Sequence, residues 1–270
     1  MGAFTNFAAY RAASDGPIRI EQIVKTGTTG TAGRWFSAWV HTPLAGVAPT
    51  TAVVPTNSTV GSIGQADADS EQLYVVSAAL STTSGPLADG VVLLCDRLSH
   101  QAGLSGIVTT AQTTNLPTAA LTRYTSGVGV FAALDIYTQI GATGTTVTAS
   151  YTNQAGTAAR TSTAIVFGGT ASREANRSII LPKQVNDTGV RSVESVTVLA
   201  TTGTAGNFGV TLFRPLMAFV LDRVSDTFNL LDGKMSGGLP EIVDGACLYW
   251  LLLSTSGSAP LQGRLDFAAV

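Results

Sequence analysis

Residues of the kinds that do chemistry are sparse in this chain. There are two histidines, two cysteines, one tight group of carboxylates and two glycine-rich hexamers. His100 ends the run VVLLCDRLSH, with Asp96 and Ser99 just before it and Ser105 just after. A serine–histidine–aspartate hydrolase would need such a set, with the base held beside the nucleophile. All four residues are close in sequence, whereas triads gather groups from separate loops. No G-x-S-x-G elbow is present, and GLSG at 103–106 misses the pattern. His100 therefore reads as a surface-turn histidine, and no catalytic residue is assigned.

In QADADSEQ, Asp67, Asp69 and Glu71 alternate, so an extended backbone would put them on one face, where a cation could bind. The segment lacks the glycine of a calcium-binding loop, and a solvated acidic turn is the better reading. Cys95 and Cys247 lie in the apolar runs VVLLCD and ACLYWLLL and read as small buried hydrophobes, with a disulfide between them left open. Without a CxxC pair or Cys/His cluster, no structural zinc is expected. No metal and no cofactor is assigned.

The hexamer TTGTAG occurs at 28–33 and again at 201–206. As a phosphate cradle the first copy fails: it lacks the Lys-Ser/Thr of a nucleotide-binding loop, and RWFSAW after it alternates like a strand. Both copies sit between strand-like runs and read as hairpin loops, side-chain-poor tips that could press on neighbouring subunits. RWFSAW places Trp35 and Trp39 on one strand face. Two such rings can stack on sugars, but they more often serve a core or a subunit interface.

The elements that must position these residues are strands. TTVTASYT (145–152), the turn NQAG and TAARTSTAIVF (157–167) form a hairpin with period-2 alternation. VFAALDIYTQI puts Val130, Ala132, Leu134, Ile136 and Ile140 on an inward face, with Asp135 and Gln139 facing out. The apolar runs 91–95 and 247–253 read as central strands covered on both faces. Further strands are expected near 18–24, 35–41, 177–181, 193–200, 208–214, 218–222 and 261–267. FTNFAAYRAA (4–13) has helical spacing. The fold class is thus mostly β, a β-sandwich or jelly-roll-like domain over 18–270 preceded by an N-terminal arm with a short helix over 1–17. The polar stretch 109–126 is a possible sub-boundary. The spacings after the two hexamers differ too much for a duplicated domain.

Composition narrows the function classes. Charged residues make up 12% of the 270, about half the usual ~25%. The balance is 15 basic against 17 acidic residues, with the arginines scattered, so direct nucleic-acid binding is not expected. The start MGAFTNFAAYRAASDGP lacks the basic end and apolar core of a secretory leader, and no apolar run is long enough to span a bilayer. Cytoplasmic synthesis and no membrane partner are expected. A surface of Thr, Ser, Gly and Ala in place of charge reads as one consumed by neighbouring subunits.

The phrases GTAGRWFSAW, TRYTSGVGVFAALDIYTQIGATGTTVTASYTNQAGT, TTGTAGNFGVTLFRPL and LPEIVDGACLYWLLL carry a resemblance. In them, and loosely over 45–90, the chain resembles structural proteins of tailed-bacteriophage virions. The resemblance implies a β-rich, non-enzymatic virion component, a capsid decoration or cement-like protein, made in the host cytoplasm. Its implied partners are copies of itself, a trimer being favoured, and other virion proteins such as the major capsid protein. The alternative is a receptor- or carbohydrate-binding tail or fibre module. Candidate partner-contact residues are Phe4, Phe7 and Tyr10 of the arm, Thr28, Gly30 and Gly33 of the first hexamer, Trp35 and Trp39, and Thr201, Gly203 and Gly206 of the second.

Overall fold

The computed structural model describes residues 19–28, 31–65, 67, 72–82, 90–170, 172–221, 231–232, 240–254 and 259–269. The helix expected over 4–13 lies outside them. Apart from one 3-10 turn at Leu116–Thr118, the regular structure among the described residues is antiparallel β.

Six strands form the central sheet, in the order β10 (Ser178–Ile180), β6 (Phe131–Thr138), β12 (Asn207–Leu221), β4 (Gly90–Leu104), β15 (Leu248–Ser254) and β2 (Arg34–Ser37). The sheet curls until its two edges meet. Phe36 of β2 bridges Arg177 just before β10, and Ser37 N donates to Asn176 O at 2.9 Å. Curling removes the free edges a flat sheet would expose and gives the sheet an inside and an outside.

Two further sheets pack on the outside. One runs β1 (Arg19–Thr28), β16 (Ala259–Ala269), β3 (Leu73–Thr82) and β13 (Leu231–Asp232), with β14 (Glu241–Ile242) also on β3. The other runs β5 (Gln112–Thr113), β11 (Val190–Val198), β7 (Gly144–Asn153) and β8 (Arg160–Thr161), with β9 (Ile165–Gly168) also on β7. Each makes a sandwich with one half of the central sheet. Val92, Leu94, Leu248, Trp250 and Leu252 meet Val75, Leu80, Leu261 and Leu265 in the first interface. Leu134, Ile136, Phe208, Val210 and Leu212 meet Val147, Tyr151, Val193 and Val196 in the second. β4 and β12 are long, 15 residues each, because each runs through both interfaces.

The inside of the curled sheet is a third core, of Trp39, Cys95, Ala133, Phe213, Cys247, Tyr249 and Leu251. That explains the unbroken apolar runs: alternate residues of VVLLC and LYWLLL face an outer sheet or the interior, and both faces are largely covered. Lys25 of β1 ties the edge of the first outer sheet to the loop after β2. Its ammonium donates to the carbonyls of His41, Pro43 and Leu44 at 3.2, 3.0 and 3.0 Å, and burial pulls its pKa down to about 8.

Several expectations change. The hairpin over 145–167 is present, but its second arm is split into β8 and β9. Ser162 between them exchanges hydrogen bonds with the Ala149 backbone. The runs 208–214 and 218–222 belong to one strand, β12. Of 35–41 only the beginning is strand. Most consequential is β6, where the face carrying Asp135 turns into the interior rather than to solvent.

Neither hexamer is a hairpin loop. The first joins β1 in an outer sheet to β2 in the central one, and the second joins β11 in the other outer sheet to β12. Both are crossovers between packed layers. The second is built round Thr202, whose hydroxyl accepts from Gly141 N at 3.1 Å and donates to Thr204 O at 3.0 Å. Its backbone bonds Gly106 and Thr143, joining three loops. A Cβ on Gly141 would stand 1.7 Å from Thr202 O, so only glycine admits this approach. Thr202→Val strands the Gly141 N–H in a buried setting and is expected to cost about 1–3 kcal/mol, read from the thermal denaturation midpoint. An unchanged midpoint would refute the role given to Thr202.

Candidate functional site

Ionisable residues concentrate inside the central sheet, where a bulge gathers them. Between the register pairs Leu212–Ser99 and Phe213–Arg97, β4 carries one extra residue, Leu98. A bulge shifts the side-chain alternation by one, so Arg97 and His100 both face the interior. Asp135 and Tyr137 reach the same space from β6, Thr211 from β12 and Ser178 from β10.

Arg97 is fully buried. Its Nη2 donates to Asp135 Oδ2 at 2.9 Å, Thr211 Oγ1 at 2.7 Å and Tyr137 Oη at 2.8 Å. Asp135 also accepts from Thr211 Oγ1 at 2.6 Å and from Ser178 Oγ at 2.5 Å. The guanidinium carbon lies 4.5 Å from the Trp39 ring centroid and 5.2 Å from that of Tyr249, cation–π distances. Those rings cover the guanidinium, whose Nε and Nη1 have no hydrogen-bond acceptor. Burial opposes the arginine's charge, but Tyr137 and Asp135 outweigh it and hold the cation.

His100 stands 3.2 Å from Arg97 Nη2 through Nδ1, which accepts and leaves the proton on Nε2. Burial first, and the Arg97 charge second, push its pKa down to about 2. The imidazole is neutral at pH 7, and the expectation of a surface turn is overturned: His100 lies within β4 and is buried. Because the folded value is depressed, its contribution to stability is complete above the unfolded value of 6.5 and is lost as pH falls toward the folded value. Stability is expected to drop by up to about 1.4 kcal/mol per pH unit below that point. Urea midpoints at pH 7 and pH 4.5 check this: His100→Gln should lose less than the parent, and parallel losses would contradict it.

The four residues of the hydrolase set diverge. Alternation puts Asp96 on the outside of β4, where Arg123 grips it at 2.8 and 2.9 Å and Cys247 N donates to it at 2.9 Å. Arg123 also donates to Pro55 O and Arg97 O, both at 3.0 Å, so this pair clamps two loops onto the strand. Ser99 faces the second sandwich core with its hydroxyl unpartnered, and Ser105 lies beyond the strand end. Cys95 and Cys247 are free thiols in the interior; burial pushes Cys95 up and Cys247 to about 12. Asp67 accepts from Asn57 Nδ2 at 2.8 Å and Gly245 N at 2.9 Å, while Asp69 and Glu71 lie outside the described residues. Among the described residues no three potential metal ligands stand together.

The candidate contact residues separate into three groups. Phe4, Phe7, Tyr10 and Gly30 lie outside the described residues. Trp39 is internal, 1% exposed, with Nε1 donating to Val47 O at 3.0 Å, which corrects its assignment as a contact residue; Trp35 is half-buried against the same core. Gly206 is half-buried and packed tightly, since a Cβ there would meet Gln139 O at 2.6 Å. Gly33, Thr201 and Gly203 are exposed, and Thr28 closes β1 opposite Ala259. The Arg97–Asp135 pair was missed in the sequence. Its signal is charge set inside apolar strand sequence, Asp96 and Arg97 after VVLLC and Asp135 within AALDIY.

No protein-family model matches the chain, and no curated protein does. Among solved structures it is similar to the infectious bursal disease virus VP2 subviral particle, at 9% identity and a TM-score of 0.19, covering 94% of this chain and 81% of that one. The Gt strain of the same virus aligns with 8% identity and a TM-score of 0.19, over 94% and 81%. At that TM-score the likeness assigns no role to this chain.

Proposed function

We propose that the protein is a non-enzymatic structural component of a tailed-phage virion that binds the assembled capsid and stabilises it through symmetric subunit contacts. The observation that carries this reading is the distribution of charge. In a chain already poor in charge, Arg97, Asp135, Asp96 and Arg123 are buried and paired with one another. Thr, Gly and aliphatic residues are left on the loops. Such a surface suits repeated close contact between backbones, and the phrase-level resemblance to virion proteins points the same way. A protein that binds only the assembled shell shifts the equilibrium toward it by mass action.

The sugar-stacking alternative loses its main residue, since Trp39 lies in the core. Co-sedimentation tests the proposal: the purified chain should pellet with assembled capsids and stay in the supernatant with unassembled major capsid protein. Failure to pellet with capsids would overturn it.

A further inference from the structure

Three loops converge at the end of the second sandwich around Thr202. Gly106 N donates to Ala205 O at 2.7 Å, Thr202 N to Gly106 O at 2.9 Å, and Thr143 N to Thr202 O at 3.0 Å. Residues 105–111, 140–144 and 199–206 therefore form one apex, and none of them is charged. Gly168 packs on the same Thr202, and at the border of the apex Ile140 N donates to the backbone carbonyl of Arg173 at 3.2 Å. The apex is not merely polar. Leu199 is 75% exposed, Ile107 48% and Val108 38%, beside the exposed Thr201 and Gly203. Exposed aliphatics grouped together mark an interaction surface, and the backbone bonds above hold this one in place.

Its charge pattern says what kind of partner fits. A rotation axis brings every residue near it onto its own counterpart in the next copy, so a charged residue there repels itself. Hydroxyls both donate and accept, and aliphatics pack on aliphatics, so a neutral apex of threonine, glycine and leucine is complementary to itself. We infer that this apex is the self-association surface, packed against the same apex of other copies of this chain around a rotation axis. The inference deepens the proposed function by naming the surface of its subunit contacts.

Sedimentation velocity on the purified full chain tests it. The parent chain is expected to be oligomeric, and Leu199→Glu to weaken association at least tenfold. Val185→Glu, at a site 85% exposed outside the apex, should leave the oligomer intact. Far-ultraviolet dichroism shows whether Leu199→Glu keeps its fold. Thr201→Cys supplies a second reading independent of any loss of fold: its accessible thiol should form a cross-link between copies under mild oxidation, the native cysteines being buried. A monomeric parent, an oligomer indifferent to Leu199→Glu, or no cross-link would overturn the inference. A monomer that still pellets with capsids would remove only this inference. An oligomer that ignores capsids would remove the proposed function and leave this.

Discussion

Asp135→Ala is expected to cost the protein about 3–5 kcal/mol, read as a fall in the urea unfolding midpoint at pH 7. Among the described residues, this carboxylate is the one anionic group hydrogen-bonded to Arg97, and it accepts from Thr211 and Ser178 as well. Removing it leaves a fully buried guanidinium without its counter-charge and two hydroxyls without their acceptor. The charge cannot escape by deprotonation, because an arginine stays ionised in a protein. Replacing both partners at once, as Arg97→Met with Asp135→Leu, should lose less than Asp135→Ala alone. A buried pair is expensive to break rather than a large net source of stability. Equal losses would show that Asp135 acts through packing and not as a counter-ion.

Trp39→Ala is the second large effect, also about 3–5 kcal/mol. The indole caps the interior from the turn after β2, with its ring edge-on to His100 at 5.3 Å and to Tyr249 at 6.4 Å. The following loop is shaped around it. A Cβ on Gly46 would fall 2.2 Å from Trp39 Cε2, and one on Gly61 would fall 3.0 Å from Cδ2. Truncation opens a cavity over Arg97 and releases that loop, so amide exchange near Gly46 and Gly61 should speed up along with the loss of thermal stability. A Trp on the surface, free to stack on a ligand, would instead change stability by less than ~0.5 kcal/mol. That small change would restore Trp39 as a contact residue.

Period-2 alternation located most of the strands, because one buried face writes itself into every second residue. It failed where the cause of burial lay elsewhere. β3, LYVVSAALST, is not legible in the sequence because Ser, Ala and Leu after Val76 have no strand signature of their own, and its partners are the distant β16, β13 and β14. β12 was divided at Arg-Pro, yet Pro215 sits beside a register shift, one of the places a strand tolerates proline. Alternation puts Asp135 with Gln139 on the polar face of its strand and so toward solvent, whereas its neutralising partner is 38 residues away. The hexamers show the limit most clearly. Composition marks both as tight connections, but their layer-crossing paths depend on strands far along the chain, and in the second copy a buried Thr202 and a half-buried Gly206 sit beside exposed Thr201 and Gly203.

A capsid-stabilising role requires the protein to reside on the assembled shell. Imaging of purified particles carrying labelled copies of this chain, with its abundance measured against the major capsid protein, tests that most directly. Many symmetrically placed copies over the shell are expected. Absence from the particle, or a few copies confined to the tail, would contradict that role.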